Sequence, residues 1–364
     1  MPRHDYRRKP PFCPNPDCNS HAHPTTWRFK KKGFFERKAS PQRIQRYVCR
    51  SCGRNFSSQT FSPTYWLRRP ELLRAIFFRS LTCSGLRQMT HEASASHSTI
   101  VRHLARLGRH CLLFHERLRP ELPKEPLVLD GFRTNEFGHY WPFDLNLLVG
   151  SVFHFVYGFN EAPLRRSGTM RPGQRRHRAR VEAKHGRPSP QATRHAIQEL
   201  VGRVVPPGAR AEIRSDEHRA YPVALRALTD RKIEHTTTSS KEQRTTSNPL
   251  FPVNLADLLL RHTGANHKRQ TIAFSKRRQN ACYRAAIWMV WRNYIKSLSE
   301  RKRDDPPAVR IGVMPRRLTV DDVLAEREFP WRRELTGWLE DCYFARITTL
   351  PIAGCVEHEL TYAV

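Results

Sequence analysis

The sequence predicts a multi-domain protein with a small cysteine-containing module, a helical segment and an α/β core, in that order along the chain. Three observations in the 364 residues support this division. Two close cysteine pairs lie within a short, turn-rich stretch, residues 1–66. Apolar residues then recur at helical spacing over residues 67–119. After a proline-rich linker, strand-like and helical apolar runs alternate over residues 120–300, and residues 301–364 form a tail to which the sequence assigns no role.

The charge of the chain indicates a polyanionic partner. Its 64 Lys and Arg residues against 33 Asp and Glu residues give a formal net charge of +31. Each phosphate that a basic side chain neutralises releases counterions, so a chain this basic gains affinity for nucleic acid. No apolar run approaches the roughly 20 residues that span a bilayer, and no signal-peptide pattern opens the chain. We therefore predict DNA as the partner and exclude a membrane.

The cysteine pairs predict a zinc ribbon. The two pairs are separated by 30 residues and consist of Cys13, Cys18, Cys49 and Cys52. Four thiolates carried by two tight turns suit the tetrahedral coordination of Zn²⁺, and close pairs without a secretion signal favour metal over disulfides. The first pair is spaced more widely than usual, so His21 or His23 could replace Cys18 as a ligand. Four unrelated reduced cysteines are the alternative, which the paired spacing disfavours.

A helix-turn-helix is predicted inside the helical segment. The small polar run at residues 93–97 separates two helical stretches, and Ser98 can cap the second of them. A recognition helix places polar side chains in the major groove of DNA. The side chains that would project from this helix are Arg102, His103 and Arg106. The alternative is an ordinary helical hairpin whose basic face is solvated.

Acidic residues at the ends of strand-like runs predict a metal site in the core. Asp130 ends one such run and Asp216 ends another, whereas Asp257 lies early in a long helical region. Two carboxylates at strand ends and a third on a later helix form the metal-binding corner of an RNase H-like fold, which holds two divalent ions about 4 Å apart. Oxygen ligands suit Mg²⁺ or Mn²⁺. We therefore predict these three acids as catalytic metal ligands.

Each of these acids also has a simpler explanation. An aspartate at the end of a strand can cap a turn, which is the alternative for Asp130 and Asp216. An aspartate early in a helix is favoured by the helix dipole without any metal, which leaves the role of Asp257 open. The other acids that compete for the third position are Glu136, Asp144, Glu217 and Glu242.

Two basic stretches belong to the predicted core. Residues 165–190 carry many arginines among Gly, Pro and Ser, so we predict a mobile basic loop inserted in the core and touching DNA. The second stretch would hold the DNA backbone next to the metals, through Lys268, Arg269, Lys276 and Arg277. A solvated basic face is the commoner role of such a run and remains the alternative.

Several short stretches together resemble bacterial insertion-sequence transposases of the DDE class, particularly the insertion-sequence-one group. The matching residues are 46–53, 98–104, Asp216 with His218 and Tyr221, and Arg261 with the basic segment up to Lys276. The resemblance implies the order zinc ribbon, helix-turn-helix and RNase H-like core. It also implies metal-dependent DNA cleavage and strand transfer by a homo-oligomer on DNA, in the cytoplasm of a bacterium and associated with its nucleoid.

The chain departs from that group at the third acid. Where the group carries a glutamate followed one helical turn later by asparagine, this chain has Asn254 and then Asp257. Residues three apart share a helix face, so the carboxylate could have moved by one turn. If no acid completed the site, the chain would be an inactive copy. A non-enzymatic DNA-binding regulator and a nuclease that cuts without joining are the other interpretations.

Overall fold

A computed structural model describes residues 10–239, 241–269, 271–359 and 362–364. The protein is a multi-domain α/β structure with a small N-terminal sheet, a group of helices and a larger mixed sheet. Within the described ranges, no helix combines the length and the apolar composition that crossing a membrane requires.

The N-terminal module is a three-stranded antiparallel sheet in the order β1-β2-β3. Its elements are α1 (Asn19–Ala22), β1 (Phe29–Glu36), β2 (Arg43–Cys49) and β3 (Asn55–Ser57). The edge strand β1 is exposed after its first residue, and its lysines discourage pairing with another sheet edge. Tyr47, Phe56 and three cysteines form a small core that belongs to this module. A sheet of this size buries little apolar surface, so a metal cross-link would support it.

The predicted helical segment, residues 67–119, forms three helices that follow this module. They are α2 (Leu72–Ser80), α3 (Leu86–Ala93) and α4 (His97–Leu118). The cap of α4 differs from the prediction, because Ser96 and not Ser98 precedes the helix. Ser96 has extended backbone, and its side-chain oxygen accepts a hydrogen bond from the Thr99 amide at 3.2 Å. Ser98 lies inside the first turn, where the backbone is already helical.

The larger sheet has five strands in the order β6-β5-β4-β7-β8. The strands are β4 (Leu127–Asn135), β5 (Pro142–Gly150), β6 (Val156–Pro163), β7 (Arg210–Ser215) and β8 (Lys232–Thr237). The first three pair antiparallel, whereas β7 runs parallel to β4 and β8 runs parallel to β7. Every residue of β5 is buried, which is expected where helices cover both faces of a sheet.

Helices surround this sheet. They are α5 (Pro172–His185), α6 (Ala192–Val204), α7 (Ala220–Arg226), α8 (Phe251–Thr263), α9 (Arg278–Val290), α10 (Pro307–Arg310), α11 (Val320–Ala325) and α12 (Gly337–Tyr343). Helix α6 packs on β5 and β6, α8 packs on β4 and β5, and α9 packs along α4. One apolar cluster contains side chains of α2, α4, the sheet, α11 and α12. The helical segment and part of the 301–364 tail therefore share their core with the larger sheet.

The tail also holds the N-terminal module against the rest of the protein. The Phe329 ring lies 5.3 Å from the Phe12 ring and 5.1 Å from the Phe61 ring, between ring centroids. The Arg327 guanidinium donates to the Thr60 carbonyl at 3.0 Å. Arg332 donates to the carbonyl of His21 at 3.0 Å. The contacts join parts of the sequence that are about 270 to 310 residues apart.

The prediction of a mobile loop at residues 165–190 was wrong in its structure, because this stretch contains α5. Pro172 occupies the first turn, where a proline fits a helix, and the Gln174 side chain accepts a hydrogen bond from the Arg171 amide at 3.0 Å. No residue of α5 is buried. The apolar periodicity that identifies most helices is therefore absent from its sequence, which explains the error.

Candidate functional site

Asp130 and Asp216 come from neighbouring strands of the larger sheet. Asp216 directly follows β7, whereas Asp130 does not end its strand as predicted, because β4 continues to Asn135. The parallel pairing of β4 with β7 ends at Leu129 and Ser215, and each of these residues is followed by an aspartate. Side chains at matching positions of neighbouring strands project to the same face, about 5 Å apart. The structure therefore brings together these two predicted site residues.

Helix α8 brings Asp257 to the same place. The helix packs against β4 and β5, and the Asp257 side chain is largely enclosed. Burial first, and then the charge of Asp130, raise the pKa of Asp257 well above its ordinary value. The Asp257 Oδ1 atom is buried without a hydrogen-bond partner in the described part of the chain. Since a buried carboxylate oxygen normally has a partner, this atom marks a position where a ligand would fit.

Like charges dominate the surroundings of Asp130. Burial and the neighbouring charge of Asp216 raise the pKa of Asp130 to about 6, although its Oδ1 accepts a hydrogen bond from the Gly131 amide at 2.7 Å. The charge of Arg244 opposes this rise both at Asp130 and at Asp257. Carboxylates that raise one another's pKa are expected where a cation normally shares them.

Sequence reasoning gave too little weight to Asp144 and did not predict a role for Asn146. Asp144 lies on β5, is 5% exposed, and accepts two hydrogen bonds from Arg133 at 3.0 and 3.2 Å. Its charge contributes to the raised pKa of both Asp130 and Asp257. Asn146, two residues along the strand, is fully buried and its Oδ1 has no partner among the described residues. The sequence signal that could have identified Asp144 was the presence of an acidic residue within the apolar run of residues 141–149.

Tyr221 completes this acidic edge, which we define as Asp130, Asp144, Asp216, Asp257 and Tyr221. Burial, followed by the charges of Asp130 and Asp216, raises the pKa of the Tyr221 hydroxyl, so the hydroxyl remains a donor. A Cβ atom on Gly131 would lie 3.2 Å from this hydroxyl and 3.3 Å from Asp144 Oδ2. A glycine at position 131 therefore lets the tyrosine and the carboxylate approach the strand closely.

The other competing acids are exposed or make contacts outside the acidic edge. Glu136 is buried and accepts hydrogen bonds from the Thr349 hydroxyl and from the Arg278 amide, the latter at 3.1 Å. Glu217 and Glu242 are exposed, and Glu217 accepts a hydrogen bond from Ser239 at 3.4 Å. The geometry thus favours Asp257 over these three acids as the partner of Asp130 and Asp216.

The acidic edge offers oxygen donors for a metal. Among the described residues, the group of His, Cys, Asp or Glu side chains close enough together to hold one ion is the cysteine quartet. The acidic edge contributes four carboxylates, and the Asp257 Oδ1 among them is buried without a hydrogen-bond partner in the described part of the chain. Hard divalent cations such as Mg²⁺ and Mn²⁺ prefer oxygen ligands of this kind.

The four predicted zinc ligands form a compact cluster that could hold zinc. The Sγ atoms of Cys13 and Cys52 are 3.6 Å apart, and those of Cys18 and Cys49 are 4.0 Å apart. Burial opposes ionisation of Cys49, but the Cys52 amide and the Trp27 indole, which donates at 3.3 Å, lower its pKa to about 6. A histidine is not needed as a substitute ligand, because Cys18 lies within the cluster.

The residues predicted to read DNA from α4 separate into two groups. Arg102 is exposed. His103 is 5% exposed, and its ring nitrogens contact the carbonyls of Thr99 and Arg69 at 2.8 and 3.1 Å. Arg106 is 7% exposed and donates to the carbonyls of Pro63 and Tyr65. We correct the prediction for His103 and Arg106, since both side chains are engaged within the protein and cannot reach a groove in this arrangement.

The second basic stretch borders β4, the strand that carries Asp130. Ser275 accepts a hydrogen bond from the Phe137 amide at 2.8 Å, just after β4 ends. The predicted DNA contacts Lys268, Arg269 and Lys276 are exposed. Arg277 is half-buried and donates to the Gly354 carbonyl at 2.6 Å. Its guanidinium is therefore partly committed to a contact within the chain.

Comparisons with known proteins add a weak likeness to solved structures. No family model matches the chain, and no curated protein matches it. Among solved structures, the chain is similar to one in the cryo-EM structure of the simian T-cell lymphotropic virus intasome in complex with PP2A regulatory subunit B56 gamma, with 17% sequence identity and a TM-score of 0.22. The match covers 50% of this chain and 52% of that chain, so the protein spans about half the length of this neighbour.

Proposed function

We propose that the protein is a DNA transposase that binds element ends and catalyses metal-dependent strand cleavage and strand transfer. The main observation that supports the proposal is that Asp130, Asp216 and Asp257 lie close enough at one edge of the larger sheet for their charges to interact. The sheet order supports an RNase H-like core, because the first strand of that fold lies centrally and the fourth pairs beside it. Here β4 is central, and β7, the fourth strand of the sheet along the chain, pairs with it.

In this proposal, Asp130, Asp216 and Asp257 would hold two Mg²⁺ or Mn²⁺ ions, and the bound ions would supply activation of the attacking oxygen and stabilisation of the leaving oxygen of a phosphodiester. The side chains of the protein would position the reacting groups and offset their charge. Asp257 offers its unpartnered Oδ1 toward the site. The Tyr221 hydroxyl stays protonated and donates to an oxygen of the acidic edge or of the DNA. Arg133 and Arg244 lie nearby to offset phosphate charge.

DNA recognition is assigned to the front of the chain and to one exposed basic stretch. The N-terminal module acts as a zinc ribbon, and α3 and α4 act as a helix-turn-helix from which Arg102 faces DNA. Lys268, Arg269 and Lys276 contact the backbone beside the sheet. Such contacts to phosphate position the DNA without reading its sequence. We also propose that several copies assemble on DNA in the bacterial cytoplasm, as the resemblance implies.

The test is Mg²⁺-dependent nicking of DNA that carries the sequences flanking the gene. We expect Asp130→Asn, Asp216→Asn and Asp257→Asn each to lower the nicking rate at least about 100-fold, because each removes a charge that binds the ions. DNA affinity should stay within about two-fold, because the carboxylates repel DNA and do not bind it. Asp230→Asn is the matched control, since Asp230 is half-exposed and paired with Arg231 before β8.

The variants also separate the alternatives. If Asp257→Asn nicks at the wild-type rate and Asp144→Asn does not, the third ligand is Asp144 and the reaction stands. If the wild-type protein binds DNA tightly but none of the acids affects nicking, the enzymatic proposal fails and a DNA-binding regulator or an inactive copy remains. Nicked DNA without joined products would indicate a nuclease.

A further inference from the structure

Helix α5 is a surface helix without an apolar face. None of its 14 residues is buried, and it carries four arginines and one lysine against a single glutamate. A helix that is polar on all sides is normally stabilised by pairs of opposite charge along its surface or by a partner. Packing alone does not account for a helix of this composition, because a short helix is marginal in water.

The single acid of α5 forms ion pairs on the inner side of the helix, which we define as the side facing the segment after β6. Glu182 accepts two hydrogen bonds from Arg165 at 2.8 Å and lies 3.5 Å from Arg178. Arg178 in turn donates to the Arg166 carbonyl at 2.8 Å. These contacts tie the inner side of the helix to the segment that follows β6. They leave no carboxylate on α5 to balance its outer side.

The outer side of α5 is a stripe of cations, which we call the α5 stripe and define as Arg176, Arg180 and Lys184. The three side chains are exposed and stand four residues apart, so they follow one line along the helix. Like charges at this spacing destabilise a helix. A polyanion lying along the stripe would convert that repulsion into attraction.

Helix α5 lies against the connection between β4 and β5. The His177 ring lies 4.5 Å from the Tyr140 ring, over which the Arg166 guanidinium also lies at 4.4 Å. The His185 ring lies 6.0 Å from the Trp141 ring. Tyr140 and Trp141 belong to the connection between β4 and β5, directly before the strand that carries Asp144. DNA that reached the acidic edge would therefore pass close to this helix.

The dimensions suit duplex DNA. At about 1.5 Å per residue, Arg176 and Lys184, which are eight positions apart, are separated by about 12 Å along the helix axis. The major groove is about 12 Å wide and admits an α-helix, so the stripe reaches from one phosphate backbone toward the other. Arginine and lysine contacts to phosphate do not depend on the base sequence.

We propose that α5 is a docking helix that grips duplex DNA through the α5 stripe, independently of sequence, and that the DNA stabilises the helix. The inference rests on the proposed function for the identity of the acidic edge, and it adds a second DNA contact next to that edge. Binding needs no strand cleavage, so a chain that proved inactive would still give an interpretable result.

The first experiment measures the salt dependence of binding to a random-sequence duplex without divalent ions. The triple variant Arg176→Gln, Arg180→Gln, Lys184→Gln should lower the slope of log affinity against log salt by about 2 to 3, since each phosphate contact contributes about 0.9. The matched control is Arg301→Gln, Lys302→Gln, Arg303→Gln, which removes the same charge from exposed residues. An equal change in both triple variants would overturn the proposal. Because all six substituted side chains are exposed, both variants should fold, which their melting temperatures check.

The second experiment follows hydrogen–deuterium exchange in α5. Saturating random-sequence duplex should slow exchange of the amides of residues 175–185 at least about ten-fold in the wild-type protein, because an opened helix loses its hydrogen bonds. The α5 triple variant should show no such protection. A single strand of the same length, which has no major groove, should protect less. Equal exchange with and without duplex, or equal protection by the single strand, would contradict the docking helix.

Discussion

Arg106 on α4 shows how a basic side chain predicted to contact DNA can serve the fold instead. Burial, together with the charge of Arg109, lowers its pKa to about 10, so the guanidinium is still protonated at neutral pH. It donates to the carbonyls of Pro63 and Tyr65, which lie in the connection between the N-terminal module and α2. The charge therefore anchors that connection to α4.

Arg106 and Arg102 should give opposite results when each is changed to alanine. Arg106→Ala should lower the free energy of unfolding by about 1 to 3 kcal/mol, because it leaves buried carbonyl groups without a donor. Arg102→Ala should change the unfolding free energy by less than about 0.5 kcal/mol, since the side chain is exposed. It should instead weaken binding to cognate DNA.

Urea unfolding and fluorescence anisotropy measure the two quantities on the same preparations. The outcome that would contradict our assignment is a stable Arg106→Ala protein with impaired DNA binding. In that case the burial of Arg106 would not describe the protein in solution. A wild-type affinity in Arg102→Ala would remove α4 from the DNA-binding surface.

At the scale of elements, the sequence predicted those strands and helices whose apolar residues follow a regular pattern. The strand-like run before Asp130 was recognisable because it is continuously apolar, and the run before Asp216 was recognisable because buried residues alternate along it. Helix α5 was not recognisable from the sequence, since it has no apolar face. The contacts of His103 and Arg106 were equally hidden, because a polar residue in a helical pattern gives no sign of whether a carbonyl of another segment lies opposite. Asp144 was predicted only as a competitor for the third acidic position. Its pairing with Arg133 depends on the register between β4 and β5, which the sequence does not reveal.

The N-terminal module offers the clearest prediction for an element. Its buried cysteines replace part of the apolar core that a sheet of this size lacks. The purified protein should contain one zinc ion per chain, and Cys49→Ser should release it and unfold the module, because metal binding and folding are coupled in such structures. Metal analysis and proteolysis of the first 66 residues measure the two effects.

A second cysteine variant provides the control. Cys355 lies outside the cluster and donates from its Sγ to the Ile347 carbonyl at 3.3 Å, a contact that serine can keep. Cys355→Ser should retain both the zinc and the resistance to protease. A zinc-free wild-type protein whose N-terminal module resists protease would rule out a structural metal.

At the scale of the whole molecule, buried histidines make the fold sensitive to acid. The histidines that are less than a tenth exposed and have lowered pKa values include His110, His115, His267 and His358. Burial is the main cause in each case, and it lowers the pKa of His110 to about 4. Unfolded histidine titrates near about 6.5. Between about pH 4 and pH 6.5 the unfolded chain binds more protons than the folded one. The free energy of unfolding that the neutral buried histidines contribute is therefore complete above about pH 6.5 and declines as the pH falls toward about 4.

His110→Gln should remove one such contribution. Glutamine can keep a hydrogen bond to the Val323 carbonyl, which His110 contacts at 2.8 Å, but it does not titrate. Between pH 7.5 and pH 5 the variant should lose about 2 kcal/mol less unfolding free energy than the wild-type protein. Urea unfolding at both pH values measures this difference, and exposed His91→Gln serves as the control. A pH dependence unchanged by His110→Gln would mean that His110 is not held neutral by burial.

The contacts between the tail and the N-terminal module have a consequence for synthesis on the ribosome. Thr60 leaves the ribosome 267 residues before Arg327, and His21 leaves it 311 residues before Arg332. At about 5 to 20 residues per second, the module waits roughly 15 to 60 s for the residues that hold it in place. Its cysteines can bind a metal during that interval, so the nascent chain would carry a folded but unanchored N-terminal module before its last helices exist.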